Sequence, residues 1–186
     1  MFKVVVGIVL FLITSLPAGA AHLEGVTMAE HYLLNGKELV LNGMGLREAT
    51  IFKVDVYVAG LYVEAKSQNS AEIISSQGLK HVEMKFLRNV GADRMRSTWK
   101  ESFERNCKND CEPLRPALKQ LLDIMADVKK GDLVSLSFLP GRVELDCNGK
   151  KLGVIEGGDR FSGLLLACWI GPYPPNEGLK EGMLGR

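Results

Sequence analysis

The stretch Gly43-Met-Gly-Leu-Arg47, followed by Ile51-Phe-Lys-Val-Asp-Val-Tyr-Val-Ala-Gly-Leu-Tyr-Val-Glu64, decides how this chain is read. Phe52, Val54, Val56 and Val58 alternate with Lys53, Asp55 and Tyr57. A period of two in β-branched and aromatic residues predicts a strand. The second face is unusual, because it gathers Arg47, Lys53, Asp55 and Tyr57. Such a face is either wet or the wall of a cleft where a cation and a phenol meet a ligand. Arg47 and Tyr57 share a parity, yet a straight strand between them would span ~33 Å. They converge only if the chain bends or pairs back near Glu48 to Ile51.

Working outward, Asn35-Gly36 between two strand-like runs predicts a two-residue hairpin. Asn42-Gly43-Met44-Gly45 is expected to break the ladder with a bulge or bend. Gly60 predicts a further irregularity, since apolar residues move to odd positions at Leu61 and Val63. A short helix is expected over Ala71 to Ser75 behind Asn69 or Ser70. Leu79 to Leu87 reads as a strand with Val82, Met84 and Phe86 facing the core. Asp93 is expected to cap a helix whose stripe is Met95, Thr98, Trp99, Ser102 and Phe103.

A second helix should open at Pro113 or Pro116, bury Leu114, Leu118, Leu121, Leu122 and Met125, and end at Lys129-Lys-Gly-Asp132. Leu133 to Phe138, Arg142 to Cys147 and Lys150 to Ile155 form an antiparallel meander whose second turn is Asn148-Gly149. From Gly157-Gly158-Asp159 onward, Phe161, Leu164, Leu165, Cys168 and Trp169 repeat at helical spacing. Asn176 to Leu184 makes a last short helix. The sum is an α+β fold, one antiparallel sheet covered on one side by helices.

Lys3, the apolar run Val4 to Leu16 and Pro17-Ala-Gly-Ala20 have the pattern of a secretory signal cut after Ala20, with Ala21 as the alternative. That apolar run is too short to cross a bilayer of ~30 Å. Residues 21–186 then form one domain, expected in the periplasm or outside the cell, with no membrane span after signal cleavage. Lys and Arg number 23 against 22 Asp and Glu, and Lys3 leaves with the signal, so the remainder is neutral. Without a block of like charge, nucleic acid is not an expected partner. No β-α-β unit with a glycine-rich phosphate loop is present, and no cofactor is expected.

Cys107 and Cys111, with three residues between them in an exported chain, are expected to form a local disulfide. A thioredoxin-like pair would have two intervening residues. His22, His31 and His81 are scattered, so no metal site is expected. Cys147 and Cys168 read as small buried residues, with a bridge between them left open.

With Leu41-Asn-Gly-Met-Gly-Leu-Arg47, Phe52 to Tyr62, Lys130-Gly-Asp132, Asn148-Gly149, Phe161-Ser-Gly-Leu-Leu-Leu-Ala-Cys-Trp-Ile-Gly171 and Leu179 to Gly185 in order, the chain resembles the chalcone isomerase-like family, in its bacterial exported branch. The resemblance implies an open-faced β-sandwich, a large antiparallel sheet under a helical layer with a ligand cleft between. It matches Arg47 to the arginine that steers a phenolate or carboxylate oxygen, and Tyr57 to the carboxylate-binding Tyr of fatty-acid binders. Cys168 falls where the isomerases have a Thr. Their helix Tyr and Asn are replaced in a region reading Arg94, Met95, Trp99 and Ser102.

The expected ligand set is therefore Arg47, Tyr57, Met95, Trp99 and Cys168, with no catalytic residue. The cleft walls should come from Met84, Phe86, Met95, Phe103, Leu165 and Trp169. The leading expectation is a non-catalytic binder of a fatty acid or similar small amphipathic anion. Two alternatives stand beside it. One is an isomerase of the intramolecular lyase class using Arg47 for its oxyanion. The other is an interaction protein whose cleft is filled by its own side chains.

Overall fold

The computed structural model describes residues 19–49 and 52–186, so the expected signal segment lies, but for its last two residues, outside the described residues. Strands β1 (Ala20–Leu23) and β2 (Val26–Ala29) form a separate hairpin, which the sequence reading did not anticipate. Ala20 pairs with Ala29 in that hairpin. The main sheet has seven antiparallel strands in chain order: β3 (His31–Leu34), β4 (Lys37–Ala49), β5 (Val54–Val63), β6 (Lys80–Phe86), β7 (Leu133–Leu139), β8 (Arg142–Cys147) and β9 (Lys150–Ile155). Every neighbour in sequence is a neighbour in space. Asn35-Gly36 and Asn148-Gly149 both have positive φ, as the tightest hairpin turns require.

Helix α1 (Ser70–Ser75) is capped by the Asn69 side chain, which accepts from the amides of Ala71 and Glu72. Helices α2 (Ala92–Asn106) and α3 (Arg115–Asp123) lie between β6 and β7. Helices α4 (Gly158–Ile170) and α5 (Glu177–Met183) follow β9. Asp93 is not the cap of α2. Gly91 holds that position, the Ala92 amide is taken by Asp127 Oδ1 at 2.7 Å, and Asp93 pairs with Arg96. Helix α3 also stops well before Lys129. Arg96 reaches across from α2 and donates to the carbonyls of Leu122 (3.1 Å) and Met125 (2.9 Å), which satisfies the end of the helix there.

The central strand differs from its expected form in two ways. Phe52 is exposed and sits in a turn, and β5 starts only at Val54; of the expected reversal, residues 50 and 51 lie outside the described residues. Gly60 marks no irregularity, because β5 pairs without interruption from Tyr57 to Val63 on β6. The parity switch has another cause: the sheet is covered on both faces here. Ala59, Leu61 and Val63 join the core under the helices, while Val58 and Tyr62 join a second cluster with Val26 and Met28 of the β1–β2 hairpin.

The expected bulge is real, since the β4–β5 register shifts between Leu41 and Gly43 and again between Arg47 and Glu48. The ladder nevertheless continues, and β4 runs unbroken for 13 residues. Gly43 and Gly45 serve a different purpose, because α5 lies directly on their backbone. A Cβ on Gly45 would come within 2.8 Å of Leu179 Cα and C, and one on Gly43 within 2.7 Å of the Gly185 nitrogen. Strand and helix meet main chain to main chain.

Cys107 and Cys111 are joined by a disulfide in the turn between α2 and α3, while Cys147 and Cys168 are free thiols. Among the described residues, no helix is long and apolar enough to cross a membrane.

Candidate functional site

Arg47 on β4 and Tyr57 on β5 are direct cross-strand partners, so the pairing-back of the chain brings them together. Their shared face points toward the helices, whereas Lys53 and Asp55 are exposed. The polar parity of the strand therefore lines a cleft at one end and meets solvent at the other.

The cleft is open, with a cavity of about 320 Å³. The reading in which the protein's own side chains fill it is thereby corrected. Arg47, Tyr57, Met95, Trp99 and Cys168, the five residues singled out from the sequence, all line this one cavity. Of the expected walls, Met84 and Trp169 line it too, but Phe86, Phe103 and Leu165 do not. Those three pack within the core between sheet and helices, Phe86 against the Tyr57 ring at 5.4 Å and Phe103 against Phe161 at 6.2 Å. Ser102, Thr98, Asn89 and the exposed Arg88 and Arg94 complete the polar lining, and Val56, Val90 and Pro175 add apolar wall.

The aromatic wall is rigid. The Trp99 and Trp169 rings meet edge to face at 4.9 Å, and the Trp169 indole N–H donates to the Tyr57 hydroxyl at 3.2 Å. That leaves the Tyr57 proton free to be donated. Burial pushes the Tyr57 phenol from its ordinary 10.0 up to about 12, against the opposing pull of Arg47 and Trp169. Cys168, behind it on α4, is also pushed up by burial to about 12. At neutral pH the cavity thus presents a neutral phenol and a neutral thiol.

Arg47 carries the charge. Burial lowers its proton affinity, Tyr57 opposes that, and Arg105 and Arg94 add to the lowering. A guanidinium stays protonated regardless. Its position is set by Asn176, which the sequence reading passed over. Asn176 Oδ1 accepts from Arg47 Nη1 at 3.5 Å and from the Glu48 amide at 3.3 Å, while its Nδ2 donates to the Leu46 carbonyl at 3.0 Å. One side chain at the start of α5 thus clamps the bulged strand on both sides of Arg47. The only local hint was an Asn just ahead of a helix, which normally suggests a cap.

Two outcomes follow from this geometry. Asn176→Ala removes all three bonds and should lower stability by about 1–3 kcal/mol in urea denaturation; an unchanged midpoint would refute the clamp. Tyr57 gives an alkaline signature. Its proton is held more tightly in the folded state, so its stabilising contribution is full below pH 10 and is lost as pH rises toward about 12. The slope is about 1.4 kcal/mol per pH unit, and Tyr57→Phe should flatten it by one proton's worth.

A larger hollow of about 580 Å³ lies among α1, α4 and the disulfide turn, and contains neither Arg47 nor Tyr57. Its charged rim carries both signs, with Lys80, Lys108 and Arg160 beside Asp159, and Lys80 Nζ already donates to the Ser76 and Gly78 carbonyls. The Arg47 cavity has charge of one sign over apolar walls, which suits a specific anion better.

The family model for chalcone isomerase-like proteins matches residues 20–185. The chain belongs to the chalcone isomerase-like family. Among solved structures, this family member is similar to a fatty-acid binding protein of Arabidopsis thaliana, with a TM-score of 0.70 and 14% sequence identity over 89% of this chain and 96% of that one. At that identity the likeness shows the fold: the curled seven-stranded antiparallel sheet with its helical cover. No curated protein matches the sequence.

Proposed function

We propose that this chalcone isomerase-like protein is a non-catalytic binder of an amphipathic anion, a fatty acid or similar carboxylate being its simplest occupant, held by Arg47. The observation that carries the reading is the Arg47–Tyr57 cross-strand pair at the wall of an otherwise apolar cavity. A guanidinium fork grips a carboxylate through two parallel bonds, and a neutral phenol adds a third donor. Met84, Met95, Trp99 and Trp169 would cover the tail, at ~0.8 kcal/mol per buried CH₂. The cavity is within the usual size range of small-molecule sites.

Among the described residues the lining has no carboxylate and no imidazole. A phenol with a proton affinity near 12 is a poor proton shuttle at neutral pH. These groups suit holding an anion more than transforming it. The likeness to the Arabidopsis fatty-acid binding protein agrees with this reading. The disulfide agrees with an oxidising compartment, and so with an exported, extracytoplasmic protein.

Native mass spectrometry on protein purified gently from its host tests the proposal. Wild type should carry lipid-like anions that Arg47→Ala lacks. A wild type that arrives empty and binds no saturated fatty acid from dodecanoate to octadecanoate would sink it.

A further inference from the structure

Arg47 is not the only cation at this cavity. Arg88, beyond the end of β6, and Arg94, in the first turn of α2, also line it, and both are exposed. Among the described residues neither side chain makes a hydrogen bond or ion pair. The two acids nearest in sequence have other partners: Asp93 pairs with Arg96 at 2.7 Å, and Asp127 accepts from the Ala92 amide. Gly91, the N-cap residue of the 15-residue α2, lines the same mouth, where the Asp127 carboxylate already takes the Ala92 amide.

A single carboxylate does not balance this arrangement. Arg94 and Arg105 lie near enough to Arg47 to make its charge harder to keep. Three guanidinium groups round one cavity repel one another, and an occupant with more than one negative charge relieves more of that repulsion than a single carboxylate does. Exposed arginines at the mouth and apolar walls behind them place that charge at the head of the ligand and its alkyl part inside.

We infer that the occupant of the Arg47 cavity is an amphiphile with a dianionic head, of the phosphate monoester class, whose second charge is read by Arg88 and Arg94 at the cavity mouth. This rests on the anion-binding reading above and narrows it. Phosphate offers three acceptor oxygens, one more than a carboxylate, and planar guanidinium forks approach them two at a time. The determinant is the set of mouth arginines, while Arg47 serves either head group.

The test compares dodecyl phosphate with dodecanoate on the full chain at about pH 8, where the phosphate head is dianionic. Trp99 and Trp169 in the wall report binding by fluorescence. Wild type should bind dodecyl phosphate at least about tenfold more tightly than dodecanoate. In Arg88→Gln/Arg94→Gln that ratio should collapse to roughly one to three. The two exposed side chains can be changed without opening the core, and an unaltered thermal midpoint checks this. Millimolar inorganic phosphate should not displace dodecyl phosphate, because the tail is part of the recognition.

A wild-type ratio near one, a ratio that survives the double substitution, or displacement by inorganic phosphate overturns the inference while leaving fatty-acid binding intact. Failure of both amphiphiles to bind removes the binding proposal itself, and this inference with it.

Discussion

Arg47→Ala is expected to weaken dodecanoate binding by about 10- to 100-fold, the loss of one charge-assisted, two-pronged contact worth about 1.5–3 kcal/mol. Titration of the intrinsic tryptophan fluorescence would measure it, since both indoles lie in the cavity wall. Arg47→Lys should fall between the two, keeping the charge but losing the planar fork. Stability should move little, because the side chain's one described hydrogen bond is the 3.5 Å contact to Asn176. Undiminished affinity in the alanine variant would mean that the ligand is held by its tail alone, and that the paired Arg47 and Tyr57 are bystanders.

The second large effect concerns folding, and it separates two glycines of the same short helix. A Cβ on Gly182 would enter the carbonyl of Met44 and come within 2.8 Å of Gly45 Cα, where rigid backbone cannot yield. Gly182→Ala should therefore destabilise the protein by about 3 kcal/mol, at the upper end of overpacking costs. A Cβ on Gly178 meets only Asn176 Nδ2 at 3.7 Å, an ordinary contact. Gly178→Ala should stabilise by about 0.5–1 kcal/mol through helix propensity. Urea midpoints for the two variants should move in opposite directions. If both move the same way, the main-chain contact between β4 and α5 is not what holds that helix down.

These glycines show where sequence reading stops. Alternation in Val54 to Val58 is a local property, and it gave the strand and its polar parity correctly. The meander and the helical stripes were legible for the same reason: each is written within a few residues of itself. Gly43 and Gly45 looked like a bend because a glycine pair in a strand usually is one. Their actual partner, α5, lies far along the chain and cannot be found by any local pattern. Gly60 misled in the same manner, since its neighbour Met28 belongs to a hairpin that had not been recognised.

The site divides along the same line. Arg47 and Tyr57 stood out because charged and phenolic residues interrupt an apolar strand. Met95, Trp99 and Cys168 were reached through helical spacing together with the family resemblance, and they do share the cavity. Arg88 and Arg94 resembled ordinary surface charge, as isolated arginines on a loop and a first helical turn do. Phe86, Phe103 and Leu165 were expected at the cavity but pack in the core beside it, because an inward-facing side chain can be core or wall and periodicity does not distinguish them.

The clamp on Arg47 also has a consequence for how the protein is made. Asn176 lies 129 residues from the arginine it holds. A ribosome therefore finishes all seven strands of the main sheet before it delivers the side chain that steadies Arg47. Sheet and helical cover can assemble first, but Arg47 is fixed in place only when α5 docks. Chains truncated ahead of α5 should show a formed sheet and a loosely held Arg47.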